Sequence, residues 1–199
     1  MLIKDLSQYY NRLQSKLDSK RQDFELNGDR AHNTTIMRFM LNNSKAIDMY
    51  CGEMSVFRDN FYQYINEEHR QNEVQEELLG DYSKRELVDS LRKFVEKEDT
   101  RLNIYLEKFN EDYFEDLIDF QLFCEGISSG KINIYKMDDQ LLLKSGLLHV
   151  ACTDTKIVRM ERDKYTHEAI CAINVSQDIH EKWKDVFQSM HSVANPVCL

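Results

Sequence analysis

The hydrophobic period of this chain changes near Gly130, and that change constrains the fold more than any other feature of the sequence. Before it, apolar residues mostly recur at three- and four-residue steps. After it, they fall into short β-favouring runs separated by turn residues. A second β-like run at 46–52 lies among the helical patterns, so neither an all-helical bundle nor an all-β sandwich accommodates the whole pattern. The expectation is an α/β fold: a mixed sheet of about five strands flanked by six or seven helices. With 199 residues against a usual ~150 per domain, a single α/β domain over 1–199 is expected.

Leu2, Ile3, Leu6, Tyr9, Tyr10, Leu13, Leu17 and Phe24 share one helical face, which predicts an N-terminal amphipathic helix over 1–26, stopped at Asn27-Gly28-Asp29. A second helix begins near Asn33, carries Ile36, Met37, Phe39, Met40 and Leu41, and breaks at Asn42-Asn43-Ser44. Ile47, Met49 and Cys51 then alternate along a strand that ends at Gly52. Phe57, Phe61, Tyr64 and Ile65 follow on a helix reaching Glu68.

Charge divides the chain further. The formal net charge is -9, and residues 66–125 alone hold 18 Asp and Glu against 8 Lys and Arg. This acidic segment reads as helical throughout. Ser83 and Glu86 form a capping-box pattern that opens a helix of about 25 residues through Leu87, Leu91, Phe94, Leu102, Tyr105 and Phe109. A further helix from near Asn110 is expected to stop at Gly126, completing an acidic helical hairpin inserted into, or packed beside, the α/β body.

Beyond Gly130 the runs at Ile132–Ile134, Leu147–Cys152, Ile157–Met160 and Ala169–Ile173 predict strands, with Thr153-Asp154-Thr155 as a hairpin turn. Asp139 caps a short helix through Leu143. Ile179, Trp183, Val186, Phe187 and Met190 mark a last helix over Ser176–Met190, and Asn195-Pro196 begins a loose tail.

Several function classes are disfavoured. The longest apolar runs fall far short of the ~18 residues a membrane span needs, and the start of the chain fits neither a signal peptide nor an Arg-rich transit peptide. A cytoplasmic location without membrane attachment is expected. An acidic surface repels phosphate backbones, which disfavours generic nucleic-acid binding while leaving room for a local basic site. Cys51, Cys124, Cys152, Cys171 and Cys198 are odd in number and widely spaced. They read as reduced, structural thiols, with no metal site and no cofactor implied.

The segment Ala46-Ile47-Asp48-Met49-Tyr50-Cys51-Gly52-Glu53 followed by an aromatic helix resembles the first strand and helix of phospholipase D-like (HKD-type) domains. Lys131 to Tyr135, Leu147 to Val150, Ile157 to Met160 and Ala169 to Asn174, closed by the helix of Trp183 and Phe187, resemble that domain's second part. The resemblance implies phosphodiester transfer by a His nucleophile, a Lys two residues later, an Asp farther on and a downstream Asn. His149 and Asn174 match as candidate catalytic residues. Ala151 stands at the Lys position and Lys156 at the Asp position, so the resemblance implies a degenerate site without hydrolase activity.

Read from the residues alone, a single histidine in an apolar strand is more often a core or hydrogen-bonded residue than a nucleophile. A nucleophilic role requires a carboxylate that only folding can bring, from Glu53, Asp154 or Glu161. Arg159 and Lys156, with Lys144, are the nearby basic candidates. Arg30 and His32 form another polar cluster ahead of the second helix, read as capping plus a surface charge pair, or as contacts to an anion. Glu67, Glu68 and His69 lack the i, i+4 partner of a helix-borne metal motif. The function expected is a non-enzymatic interaction module or accessory subunit, with a protein partner or a second copy as a homodimer. The alternative is a divergent phosphodiesterase or nuclease using His149.

Overall fold

The computed structural model describes residues 1–69, 78–138, 146–162 and 168–197. The short helix expected from Asp139, together with Lys144 and Cys198, lies outside the described residues. Eight strands form one mixed sheet in the order β1-β7-β6-β5-β2-β3-β4-β8. They are β1 (Asp23–Asn27), β2 (Ala46–Cys51), β3 (Arg101–Leu106), β4 (Ile132–Met137), β5 (Val150–Thr153), β6 (Val158–Glu161), β7 (Ala169–Ile173) and β8 (Ala194–Pro196). Strands β2, β3 and β4 run parallel and the remaining pairings are antiparallel.

The helices are α1 (Ile3–Asp18), α2 (Arg30–Asn43), α3 (Asp59–Glu68), α4 (Leu79–Glu96), α5 (Phe120–Ser128) and α6 (Gln177–Val193). Side chains of α1 to α5 pack with Ile47, Met49, Leu102, Ile104 and Ile134 on one face of the sheet. The other face buries Tyr50, Tyr105, Val150, Cys152 and Val158 beneath Phe187 and Met190 of α6. At the β1 edge Phe24 and Leu26 remain 60% and 56% exposed, beside half-buried Ala172 and Ile170 of β7.

Three strands absent from the sequence expectation are corrections. The first helix ends at Asp18, and Phe24 belongs to the edge strand β1, held by Lys16, whose Nζ meets Asp23 at 3.1 Å and the Phe24 carbonyl oxygen at 2.7 Å. The acidic segment 66–125 is no helical hairpin. Its long helix stops at Glu96, Asp99 takes a left-handed φ of 57°, and Leu102 to Leu106 enter the sheet between β2 and β4. The Lys131 ammonium then caps the end of α4 through the Val95 and Lys97 carbonyls at 2.5 and 2.8 Å. Asn195 and Pro196, expected to begin a loose tail, pair with β4 together with Ala194 as β8. Its Pro196 suits an edge, where a missing N–H costs no ladder bond.

Gly126, expected to stop a helix, sits inside α5, where a Cβ would come within 2.5 Å of Ile132 Cδ1. It is glycine for close packing of helix on strand. The turn after the helix is made at Gly130, whose φ is +70°. The helix α4 opens at Leu79 rather than at a Ser83 cap, and α2 opens at Arg30 behind Asp29 rather than near Asn33. By contrast β2, α3, the β5–β6 hairpin and α6 fall where the patterns place them, with Ser176 accepting from the Ile179 N–H as N-cap.

Candidate functional site

Parallel strands leave a crevice at their carboxyl ends, where chains turn away from the sheet. Here the ends of β2 and β3 and the start of β5 enclose a cavity of about 600 Å³. Backbone pairing continues past β3, with the Glu107 and Lys108 N–H groups donating to the Cys51 and Gly52 carbonyls at 2.9 and 3.1 Å. That extension carries Glu107 into the cavity. The β5–β6 ladder also continues one step, through the Glu161 N–H to the His149 carbonyl at 2.9 Å. His149, Arg159 and Glu161 therefore share one wall, and Met37, Met49, Met54, Val56 and Phe61 supply the apolar lining.

His149 is held at both ring nitrogens. Nδ1 lies 2.6 Å from Glu161 Oε2 and Nε2 3.2 Å from Glu107 Oε2. Gly52 makes room for the ring, because a Cβ there would lie 3.2 Å from His149 Cε1. Glu161 turns its other oxygen to Arg159 Nη2 at 3.2 Å. Arg159 also donates from Nε and Nη2 to Asn33 Oδ1 at 3.0 and 2.5 Å, and Asn33 accepts from Asn27 Nδ2 at 2.7 Å. The imidazole thus belongs to a chain of charge-assisted hydrogen bonds running from Glu107 to α2.

Burial alone would depress the His149 pKa, but the hydrogen bonds and charges of Glu161 and Glu107 outweigh it and hold the pKa above the ordinary histidine value. Burial alone would raise Glu161, and its contacts to His149 and Arg159 bring it below the usual carboxylate range. The raised histidine stabilises the fold fully below about pH 6.5, and loses that contribution as pH rises through its folded-state pKa. The lowered carboxylate contributes above about pH 4.3 and loses its contribution as pH falls through its folded-state pKa. The network is therefore strongest between roughly pH 4.3 and 6.5. Urea unfolding across pH, compared with His149→Gln, is expected to show a shallower decline above neutral in the variant; equal slopes would remove His149 as the source.

Of the candidates read from sequence, the structure brings His149, Arg159, Glu161 and Glu53 to the cavity. Glu53 stands at its mouth, 3.6 Å from Lys108 Nζ and 3.8 Å from Arg58 Nη1. Asn174 lies elsewhere. It takes a left-handed φ of 53°, and its Nδ2 donates to the Lys16, Leu17 and Arg21 carbonyls at 3.0, 3.1 and 3.2 Å. It thereby ties the end of β7 to the end of α1. Lys156 sits in the β5–β6 turn with a φ of 63°, at the hairpin's far end from His149. Arg30 pairs with Glu68 and lies over the Tyr64 ring, while His32 pairs with Asp29, the N-cap of α2. Asp154 instead accepts from the Lys45 and Ala46 N–H groups.

Glu107 and Asn33 are the members sequence reasoning missed. The signal for Glu107 was its place just after the run Leu102 to Leu106, had that run been read as a buried strand. The half-buried Cys51 and the buried Cys171 have thiols pushed up to about 12, mainly by desolvation, and so are poor nucleophiles. Among the described residues no group of three or more His, Cys, Asp or Glu side chains is arranged to hold a metal ion, and no helix is long and apolar enough to cross a membrane.

One alignment decides what this architecture is. The chain aligns with the crystal structure of a phospholipase D family member, Nuc from Salmonella typhimurium, over 90% of its own length and 100% of that chain, with a TM-score of 0.52 and 9% identity. The chain has a phospholipase D-like fold. NucT from Helicobacter pylori aligns over 89% of this chain and 99% of its own, with a TM-score of 0.49 and 9% identity. No protein-family model and no curated protein matches the sequence. On the phospholipase D-like fold, Ala151 pairs directly across the β5–β6 ladder with Arg159. A cation therefore stands on the neighbouring strand, opposite the position where the sequence resemblance expects lysine.

Proposed function

We propose that this protein is a non-hydrolytic phospholipase D-like module of the cytoplasm that acts by binding a protein partner or a second copy of itself. The observation that carries this reading is the carboxylate on each nitrogen of His149. Attack on phosphorus needs an imidazole nitrogen with an available lone pair facing the substrate. The two glutamates favour the imidazolium, which has none, and they present negative charge to an incoming phosphodiester. Arg159, which could meet the phosphate, is already committed to Glu161 and Asn33.

An interaction role is supported by the uncovered apolar strip of Phe24 and Leu26 on an edge strand, since such patches mark contact surfaces. A second reading, a divergent phosphodiesterase, draws on the placement of Arg159 opposite Ala151 within one cavity with His149. The two readings part in one experiment. Light scattering at several concentrations is paired with turnover of bis(p-nitrophenyl) phosphate by the wild type and His149→Ala. A stable dimer with no His149-dependent turnover is expected; turnover that His149→Ala abolishes would overturn the non-hydrolytic reading.

A further inference from the structure

At about 600 Å³ the His149 cavity falls within the range of roughly 300–1,000 Å³ that small-molecule sites occupy. Its lining joins two contrasting parts. Met37, Met49, Val56 and Phe61 belong to the apolar part, while Glu107, His149, Glu161 and Arg159 make the charged wall. Which kind of guest such a cavity accepts depends on whether the charged groups are free to meet it.

The charged wall is closed on itself. His149 has a carboxylate at each nitrogen, Glu161 gives one oxygen to His149 and the other to Arg159, and Arg159 Nε and Nη2 both reach Asn33 Oδ1. Two carboxylates thus face an imidazolium and a guanidinium, and no net charge remains to draw an ion in. An ionic guest gains a partner only by separating one of these pairs, which leaves the displaced group buried and uncompensated. The mouth is balanced in the same way: Glu53 lies 3.6 Å from Lys108 Nζ and 3.8 Å from Arg58 Nη1, and Arg58 Nε is shared with Asp116 at 3.3 Å. The apolar part favours the opposite kind of guest, because flexible, polarisable thioethers fit irregular apolar shapes and release water when covered.

We propose that the His149 cavity binds a small uncharged apolar ligand, aliphatic or aromatic, held against Met37, Met49, Val56 and Phe61 beside a wall whose charges are spent on one another. The inference rests on the non-hydrolytic reading and makes the cavity selective against the phosphodiester anions that the family resemblance implies there. The exposed pair Phe24 and Leu26 on the edge strand β1 is not part of this lining, and it supplies the control surface for the test.

The test titrates the full chain at neutral pH with the uncharged fluorescent dye N-phenyl-naphthylamine, then displaces the dye with hexanol, hexanoate or hexylammonium, which share one apolar chain and differ in charge. Saturable dye binding is expected, weakened at least about tenfold in Val56→Asp and retained in Phe24→Ser/Leu26→Ser. In the wild type, hexanol is expected to displace the dye at concentrations at least about tenfold below those needed for either ion. Binding that does not saturate, displacement by hexanoate or hexylammonium as good as by hexanol, or full retention in Val56→Asp each overturns the proposal. Loss in the Phe24→Ser/Leu26→Ser variant alone would place the dye at the β1 edge and would overturn it as well. His149-dependent turnover of bis(p-nitrophenyl) phosphate would overturn the proposal together with the reading beneath it, whereas unsaturable dye binding without such turnover overturns the proposal alone.

Discussion

Glu161→Gln is expected to destabilise the protein by about 2–3 kcal/mol in urea unfolding near pH 6, a large loss for one atom-for-atom replacement. The carboxylate serves two cations, His149 at 2.6 Å and Arg159 at 3.2 Å, with only 15% of its side chain exposed. Removing one partner from a buried pair leaves charge without compensation, and that desolvated remainder sets the cost. The residual solvent contact places the figure below the full value for a wholly buried pair. Imidazole NMR supplies a second readout, because losing the Glu161 contact should bring the His149 pKa down towards its ordinary value. A double-mutant cycle with His149→Gln is expected to give a coupling of about 1–2 kcal/mol. A change under about 0.5 kcal/mol in both stability and coupling would show that the contact contributes nothing net.

Gly80→Ala is expected to cost about 3 kcal/mol or more. An added Cβ would come 2.2 Å from the Tyr62 backbone carbonyl oxygen and 2.6 Å from Asn66 Oδ1, which already accepts from the Gly80 N–H at 2.6 Å. The clashing atom is backbone, so relief requires α3 and α4 to separate, opening the layer that covers β2 and β3. Gly28→Ala is the control. Nothing lies within 4 Å of its added Cβ, and a change within about 0.5 kcal/mol is expected. Similar melting temperatures for the two variants would show that α4 accommodates the methyl by shifting.

These two sites also mark what could be read before folding. Alternation at Ile47, Met49 and Cys51, the turn at Thr153 to Thr155 and the α6 stripe were legible because each has one period and a clear stop. Leu102 to Leu106 was not. Its apolar residues satisfy both a three/four-residue and a two-residue spacing, and a strand buried on both faces lacks the polar alternation that separates the two. The stop before it, Asp99 in a left-handed conformation, carries no glycine or proline to announce it. Strands β1 and β8 were hidden for another reason: at three to five residues they are defined by their pairing with β7 and β4, not by any pattern of their own.

The site divides along the same line. The sequence by itself determined that the chain is α/β, that His149 lies on the outgoing strand of a β-hairpin whose returning strand carries Arg159, and that no lysine follows two residues after the histidine. These are local properties, set by side-chain period, turn chemistry and residue identity. Only the tertiary structure decided that Glu107 closes the second side of the imidazole and that Asn33 holds Arg159. It also decided that Asn174 serves α1 instead of the cavity. Those contacts span 42, 126 and 158 residues of chain, and they exist because β3 lies beside β2 and α1 packs along β7. The charge on His149 is a property of that assembly, since the groups that set it meet only when the sheet has formed.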